Sequence, residues 1–309
     1  MQRTTRVSAP AKKSSIRQAG AKRRPNLRLP VAPAIEPTRS TSFELALRIL
    51  NEFGGNALEL GVQEISDRCG VHKSQISKVL TALAKHDYVV KNPATGNYCV
   101  GTRLFVLGSR YLMSDRLSRE AMPLMKDLSE ESGHSVRLSI QAGKIVVYLA
   151  AVEGHLLFDS ERRVGAVLPW HGASACRILL AFKSKADQDQ IFTEFGMPKL
   201  TEHTITDRKV LDKAIEAARR DGFAVSRNQS THALGTISVP IFDGSGCIAS
   251  LSLAFPNHVV RTDQEGPLVE ILHDCARRLS LRLGARAYPY GFGKQMQKRR
   301  LPESTRVTG

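Results

Sequence analysis

Between positions 73 and 81 the chain reads Lys-Ser-Gln-Ile-Ser-Lys-Val-Leu-Thr, a mixture of basic, amide and hydroxyl side chains threaded through an apolar repeat. Ile76, Val79, Leu80 and Leu83 recur at i, i+3, i+4, i+7 and make one apolar stripe of a helix. Lys73, Ser74, Gln75, Ser77, Lys78 and Thr81 are left on the other face. Such groups donate to phosphates and base edges, and Gln pairs bidentately with adenine in the major groove. In an isolated amphipathic helix the same face would merely be solvated.

A second cluster, Pro169-Trp170-His171-Gly172-Ala173-Ser174-Ala175-Cys176, sets a base beside two kinds of nucleophile. Hydrolysis by His171, Ser174 and Cys176 would also need a group to orient the base and an oxyanion hole. The chain has no G-x-S-x-G elbow, H-E-x-x-H pair or G-x-x-x-x-G-K-[ST] loop, so an enzyme is not expected. Five cysteines, Cys69, Cys99, Cys176, Cys247 and Cys275, are widely spaced with no C-x-x-C pair. They read as buried reduced thiols, with no disulfide framework, no metal site and no cofactor expected; Cys176, close to His171, is the one with a conceivable redox role.

The elements around the first cluster decide its meaning. Thr41 and Glu44 have capping-box spacing before the apolar run Leu45, Ala46, Ile49, Leu50, Phe53, so a helix starts near Ser42. Leu58, Leu60 and Val62 lead to a second helix carrying Ile65 and Cys69, which Gly70 stops. With the 73–85 helix these form a helix-turn-helix core. Tyr88-Val89-Val90 and Tyr98-Cys99-Val100 flank a turn-rich loop and read as a hairpin wing, whose Lys91, Thr95 and Asn97 face phosphates or the minor groove.

Beyond the wing, 102–121 reads as a linker helix with Leu104, Leu107, Tyr111 and Leu112 on one side, and a further helix surrounds 123–128. From Ser135 the period drops to two: strands are expected at 136–140, 145–149 and 156–158. Helices follow at 173–183, 186–195 and 207–220, then strands at 223–225, 236–242 and 248–255, and a closing helix at 261–283. Strands grouped on both sides of helices suit an α+β domain with one central antiparallel sheet.

Charge is concentrated at the ends. Of a formal net charge of +16 over 309 residues, positions 1–39 hold ten basic residues against Glu36, and 285–309 hold six against Glu303. Both segments read as basic disordered arms adding salt-sensitive attraction to DNA phosphates, or as solubilising ends. If the arms dominated, the chain would be a non-specific nucleoid-type protein. With no long apolar run and no apolar N-terminal stretch, neither a membrane span nor a secretory signal is expected, and the expected location is cytoplasmic.

In its motifs the chain resembles the isocitrate lyase regulator (IclR) family of bacterial transcription factors. The resemblance rests on Ser42–Leu50, Val71–Leu80, Tyr98-Cys99-Val100-Gly101 with Leu104 and Leu107-Gly108, then Arg163-Val164-Gly165, Pro169-Trp170-His171, the helix from Ala173, Asp221-Gly222-Phe223-Ala224 and Val239–Asp243, and covers roughly 40–284. It implies a winged helix-turn-helix over 40–101, a linker helix over 102–121 that helps subunits pair, and a GAF-like effector-binding domain over 122–284. It implies double-stranded DNA as partner, a small organic acid as effector, and a homodimer or homotetramer. The effector cup would be lined by Leu157, Ser174, Ala175, Ser226, Thr236, Ser238, Ser252 and Ala254; each Ser or Thr taken singly is equally well a cross-strand packing residue. Uncommitted N–H groups at the start of the 173–183 helix would favour an anion. The chain departs from the family pattern where Gly-Lys becomes Cys176-Arg177, where acidic residues become Ser226-Arg227-Asn228-Gln229, and at Ser238 and Ala254.

Overall fold

The computed structural model describes residues 41–55, 57–155 and 164–291. Leu157 and the expected 156–158 strand, the N-terminal arm and residues 292–309 lie outside the described residues. The expected basic arm over 285–309 does not begin at 285: Ala285 and Tyr288 are buried, Tyr288 joins the core of the second domain and its hydroxyl lies 2.8 Å from His273 Nδ1, and Tyr290 donates to the Arg219 carbonyl at 2.6 Å, because two aromatic rings there have apolar surface to bury. Helix α1 (Ser42–Glu52) opens with a complete capping box: the Glu44 N–H donates to Thr41 Oγ1 at 3.3 Å and the Thr41 N–H to Glu44 Oε2 at 3.0 Å. Helix α2 (Val62–Cys69) ends on Gly70 in the left-handed conformation, φ 65°, which turns the chain into α3 (Lys73–Lys85). Leu45, Ile49, Ile65, Cys69, Ile76 and Leu80 close one core with Val89 and Tyr98 of the two-stranded wing β1 (Val89–Lys91) and β2 (Tyr98–Val100). Arg68 clamps this core from outside, paired with Glu52 on α1 and Glu64 on its own helix.

Gly101 sets the direction of the exit. A Cβ there would stand 2.0 Å from the Asp87 carbonyl oxygen, so only glycine lets the wing return against the end of α3. Helix α4 (Thr102–Ser114) follows and buries none of its residues. The linker is shorter than its apolar spacing suggests. Asp115 leaves the helical conformation (ψ 119°) and accepts from the Ser118 N–H, capping a separate helix α5 (Arg116–Ser132). Leu117 and Ala121, placed in the linker by sequence, therefore belong to the second core.

That core surrounds a six-stranded antiparallel sheet in the order β5-β4-β3-β8-β7-β6, made of β3 (Ser135–Ala142), β4 (Ile145–Val152), β5 (Val167–Leu168), β6 (Ala224–Arg227), β7 (Leu234–Phe242) and β8 (Cys247–Pro256). Period-two alternation gives the sheet two unlike faces. Val136, Leu138, Ile237, Val239, Ile241, Leu251 and Leu253 pack against α5 and α9 (Glu265–Arg282). The opposite face carries Ser135, Arg137 and Ser139 of β3, Ser250, Ser252 and Ala254 of β8, Thr236 and Ser238 of β7, and Ala224 and Ser226 of β6, in register across the strands. Helix α6 (Ser174–Ala181), buried along its whole length, lies over this polar face. Helices α7 (Lys185–Phe195) and α8 (Arg208–Asp221), capped by Ser184 and Asp207, cover α6 in turn.

Candidate DNA interface and effector site

On α3, Lys73, Ser74, Gln75, Lys78 and Thr81 are exposed and Ser77 is half-buried, while Ile76 and Leu80 anchor the other side. Thr81 spends its hydroxyl on the Ser77 carbonyl at 2.8 Å, which turns it back along the helix. The α2–α3 turn is fixed by the Ser66 hydroxyl donating to the Val71 carbonyl at 2.6 Å and by Arg48 donating to the Cys69 carbonyl. A helix held this rigidly at its N-terminal end, with five polar residues outward, has the geometry of a major-groove reader.

The wing is organised around a carboxylate that sequence reading missed. Glu59 accepts from Asn92 Nδ2 at 2.6 Å and from the Thr95 hydroxyl at 2.8 Å. Hydrogen bonds from Asn92 and Thr95, with a further one from Asn97, hold its carboxyl below the usual range. Thr95 and Asn97 thus face a negative charge of the chain itself, whereas Lys91 is exposed with its Nζ 5.9 Å from the Tyr98 ring centre.

In the second domain the structure draws four of the expected effector residues into one cluster. Ser174 Oγ lies 2.7 Å from Thr236 Oγ1 and 2.6 Å from Ser238 Oγ, and Ser238 Oγ lies 2.7 Å from Ser252 Oγ. Four buried hydroxyls from α6, β7 and β8 therefore form one hydrogen-bonded chain. Ser226, in the same cross-strand row as Thr236 and Ala254, donates to the Gly172 carbonyl at 3.0 Å. Ala175 is buried on α6 and Ala254 is half-buried. The N-cap of α6 is Ala173, which supplies no side-chain cap.

Charged neighbours complete the picture. Arg177 is 4 % exposed and donates to the Val225 carbonyl at 2.9 Å and to Gln229 Oε1, while its Nε has no partner among the described residues. Two departures from the family pattern thus meet. Burial pulls the guanidinium down to about 10, which leaves it charged at neutral pH, and among the described residues no carboxylate pairs with it. Arg227 is a strut: it donates to Glu265 Oε1 at 2.6 and 2.9 Å and to Asn257, tying β6 to the start of α9.

The His171 cluster is arranged differently from a nucleophile and its base. His171 Nε2 donates to the Pro198 carbonyl at 2.8 Å, burial lowers its pKa, and Ser174 is engaged with the hydroxyls. Cys176 is fully buried, and burial pushes the thiols of Cys247 and Cys275 up to about 12, far from thiolate reactivity. No helix among the described residues is long and apolar enough to cross a membrane.

Comparison with known families decides the assignment. Residues 109–281 match the model of the bacterial transcriptional regulator IclR C-terminal domain, and residues 44–93 match the IclR helix-turn-helix domain. The chain belongs to the IclR family. It is a DNA-binding transcriptional regulator, similar to the HTH-type transcriptional regulator XynR of Escherichia coli at 29 % identity over 244 residues, 79 % of this chain and 97 % of XynR. An IclR-type regulator from a Silicibacter species shares the fold with a TM-score of 0.70 at 22 % identity, covering 80 % of this chain and 98 % of its own. An IclR homologue from Microbacterium hydrocarbonoxydans, whose crystal structure is a complex with 4-hydroxybenzoate, does so with a TM-score of 0.66 at 23 % identity, covering 79 % and 99 %.

Proposed function

We propose that this IclR-family chain is a sequence-specific operator reader whose hold on DNA responds to a small organic acid bound on the polar face of its central sheet. The hydroxyl chain Thr236–Ser174–Ser238–Ser252 carries this reading. Buried hydroxyls are costly unless bonded, and a core position needs no hydroxyl where an alanine would pack. Hydroxyls rotate, so the four can turn from one another to an acceptor brought by a ligand. An uncapped start of α6 above them favours an acidic group. The relative from Microbacterium, bound to an aromatic acid, supports the same ligand class.

On the DNA side, Lys73, Ser74, Gln75, Ser77, Lys78 and Thr81 enter the major groove and Lys91 meets phosphate, with Thr95 and Asn97 shaping the wing tip beside it. Pairing of two or four copies rests on apolar side chains left in solvent: Phe43 and Leu47 of α1, and Phe105, Leu107, Tyr111 and Met113 of α4. An acid that binds one arrangement of the paired readers better than another alters the fit to two half-sites. The α4–α5 break at Asp115 is the joint through which the effector domain would move them.

The test is an operator titration in the presence of a panel of small organic acids. A change of at least about fivefold in operator affinity with one acid, lost in Ser174→Ala or Ser238→Ala, supports the reading. An operator affinity indifferent to every acid argues for a regulator that is not acid-responsive.

A further inference from the structure

Resting on the acid-effector reading above, we propose that Arg137 is the group that recognises the effector's carboxylate, and that Glu153 is its resident stand-in, a carboxylate of the chain itself that the incoming acid displaces. Arg137 sits on β3 in the cross-strand row that continues through Ser252 and Ser238, so its stem adjoins the end of the hydroxyl chain. It is 3 % exposed, in the middle of a sheet face where an apolar or hydroxyl residue would be cheaper to bury. Its Nη2 lies 2.9 Å from both oxygens of Glu153, while among the described residues Nη1 reaches only the Val136 and Val152 carbonyls, each at 3.4 Å. The burial of the two partners is lopsided: the Glu153 side chain is 63 % exposed, against 4 % for Arg137.

A guanidinium fixed in the interior with an exchangeable carboxylate at the surface end is an anion site already filled from within. Arginine matches a carboxylate with two parallel N–H donors, so an acid in the place of Glu153 keeps every bond the guanidinium makes. A second, independent feature lies on the same sheet face, on the other side of Arg137 from Ser135. Ser139, two positions along the same face, is fully buried, and its hydroxyl has no hydrogen-bond partner among the described residues. An unbonded interior hydroxyl costs stability unless something arrives to use it, and a polar group elsewhere on a ligand whose carboxylate sits at Arg137 would. Ser135, whose hydroxyl donates at 3.0 Å to Glu153 Oε2, the oxygen that Arg137 Nη2 also bonds, is a second donor to the same carboxylate.

Chemical rescue tests this on the full-length protein. Glu153→Ala leaves the Arg137 site open, and sodium acetate should then raise the melting temperature in a saturable way. Acetamide, or sodium chloride at equal ionic strength, should not. In the double variant Arg137→Met/Glu153→Ala the acetate effect should vanish. Should Glu153→Ala fail to fold, Glu153→Gln, which keeps the shape and removes the charge, takes its place in the same titration. Acetate acting no better than chloride, or acting equally on the double variant, overturns the proposal. Operator binding separates it from the effector reading. An acid that acts on the wild-type chain should need at least about tenfold higher concentration on Arg137→Met; equal potency removes Arg137 from the site while the acid-effector reading stands. Acetate rescue together with operator binding indifferent to acids keeps the Arg137 site and removes the effector reading.

Discussion

Ser174 on α6 and Ser238 on β7, 64 positions apart in the chain, meet at 2.6 Å in the interior of the effector domain. Their contact carries the hydroxyl chain from helix to sheet, and it exposes the domain to a specific kind of damage. Ser238→Val should take the partner from Ser252 and leave Ser174 with Thr236 alone, costing roughly 1–3 kcal/mol for the unbonded Ser252 hydroxyl. Ser238→Ala, which opens room for a water, should cost less. Urea unfolding of the two variants checks the order.

Arg177 and Gln229 make the opposite case. A buried guanidinium whose described partners are all neutral should welcome an acid. Gln229→Glu should therefore stabilise the chain, by about 1 kcal/mol, and Arg177→Met should cost little; thermal unfolding reads both. A loss on Gln229→Glu would mean that the charge is balanced elsewhere.

His273 gives the effector domain a pH dependence whose sign follows from burial. Its Nδ1 is bonded to the Tyr288 hydroxyl at 2.8 Å, its Nε2 has no partner among the described residues, and burial pushes the ring down to about 4. An unfolded histidine takes its proton near pH 6.5. Between about pH 6.5 and 4 the unfolded chain binds the proton and the native chain refuses it, so stability rises with pH through that window. It is fully present above about 6.5 and falls by about 2 kcal/mol by pH 5. His273→Gln should flatten this slope in urea midpoints measured at pH 7 and pH 5.

On the DNA side the residues differ in what they should do to specificity. Gln75→Ala should alter base preference and cost roughly 1–3 kcal/mol on the preferred site, whereas Lys91→Ala should weaken all sequences alike and lower the salt slope by about one contact. Equal loss on specific and random duplex for Gln75→Ala would take that residue out of the groove.

Glu59 predicts a gain. It sets a negative charge against the wing loop beside Thr95 and Asn97, so Glu59→Gln should tighten binding to any duplex and steepen its salt dependence; weaker binding would mean that its bonds to Asn92 and Thr95 shape the wing. Fluorescence anisotropy at two salt concentrations distinguishes the outcomes.

What could be read from the chain was whatever is local. The Thr41–Glu44 box, the Gly70 stop and the Ile76–Leu80 stripe each lie within a few residues and appear in the structure as caps and buried faces. Alternation on β7 and β8 likewise marked Thr236, Ser238 and Ser252 as sharing a face. Long-range pairing left no such mark: β3 and β8, more than a hundred positions apart, lie side by side, which is what puts Arg137 next to Ser252. Arg137 had a signal, since Ser135, Arg137 and Ser139 alternate with Val136, Leu138 and Ile140, but only the sheet order shows which residues that polar face meets. Asp115 escaped notice because a capping aspartate looks like any polar residue between apolar repeats. Glu59 bonds residues 33 and 36 positions away.

The central claim, sequence-specific reading of DNA, is tested most directly by selecting bound duplexes from a random pool with the full-length chain at near-physiological salt. One roughly palindromic motif should be enriched, with half-sites about one helical turn apart or a multiple of it, reflecting paired recognition helices. Recovery of no motif, with binding that fades as salt rises whatever the sequence, would contradict it.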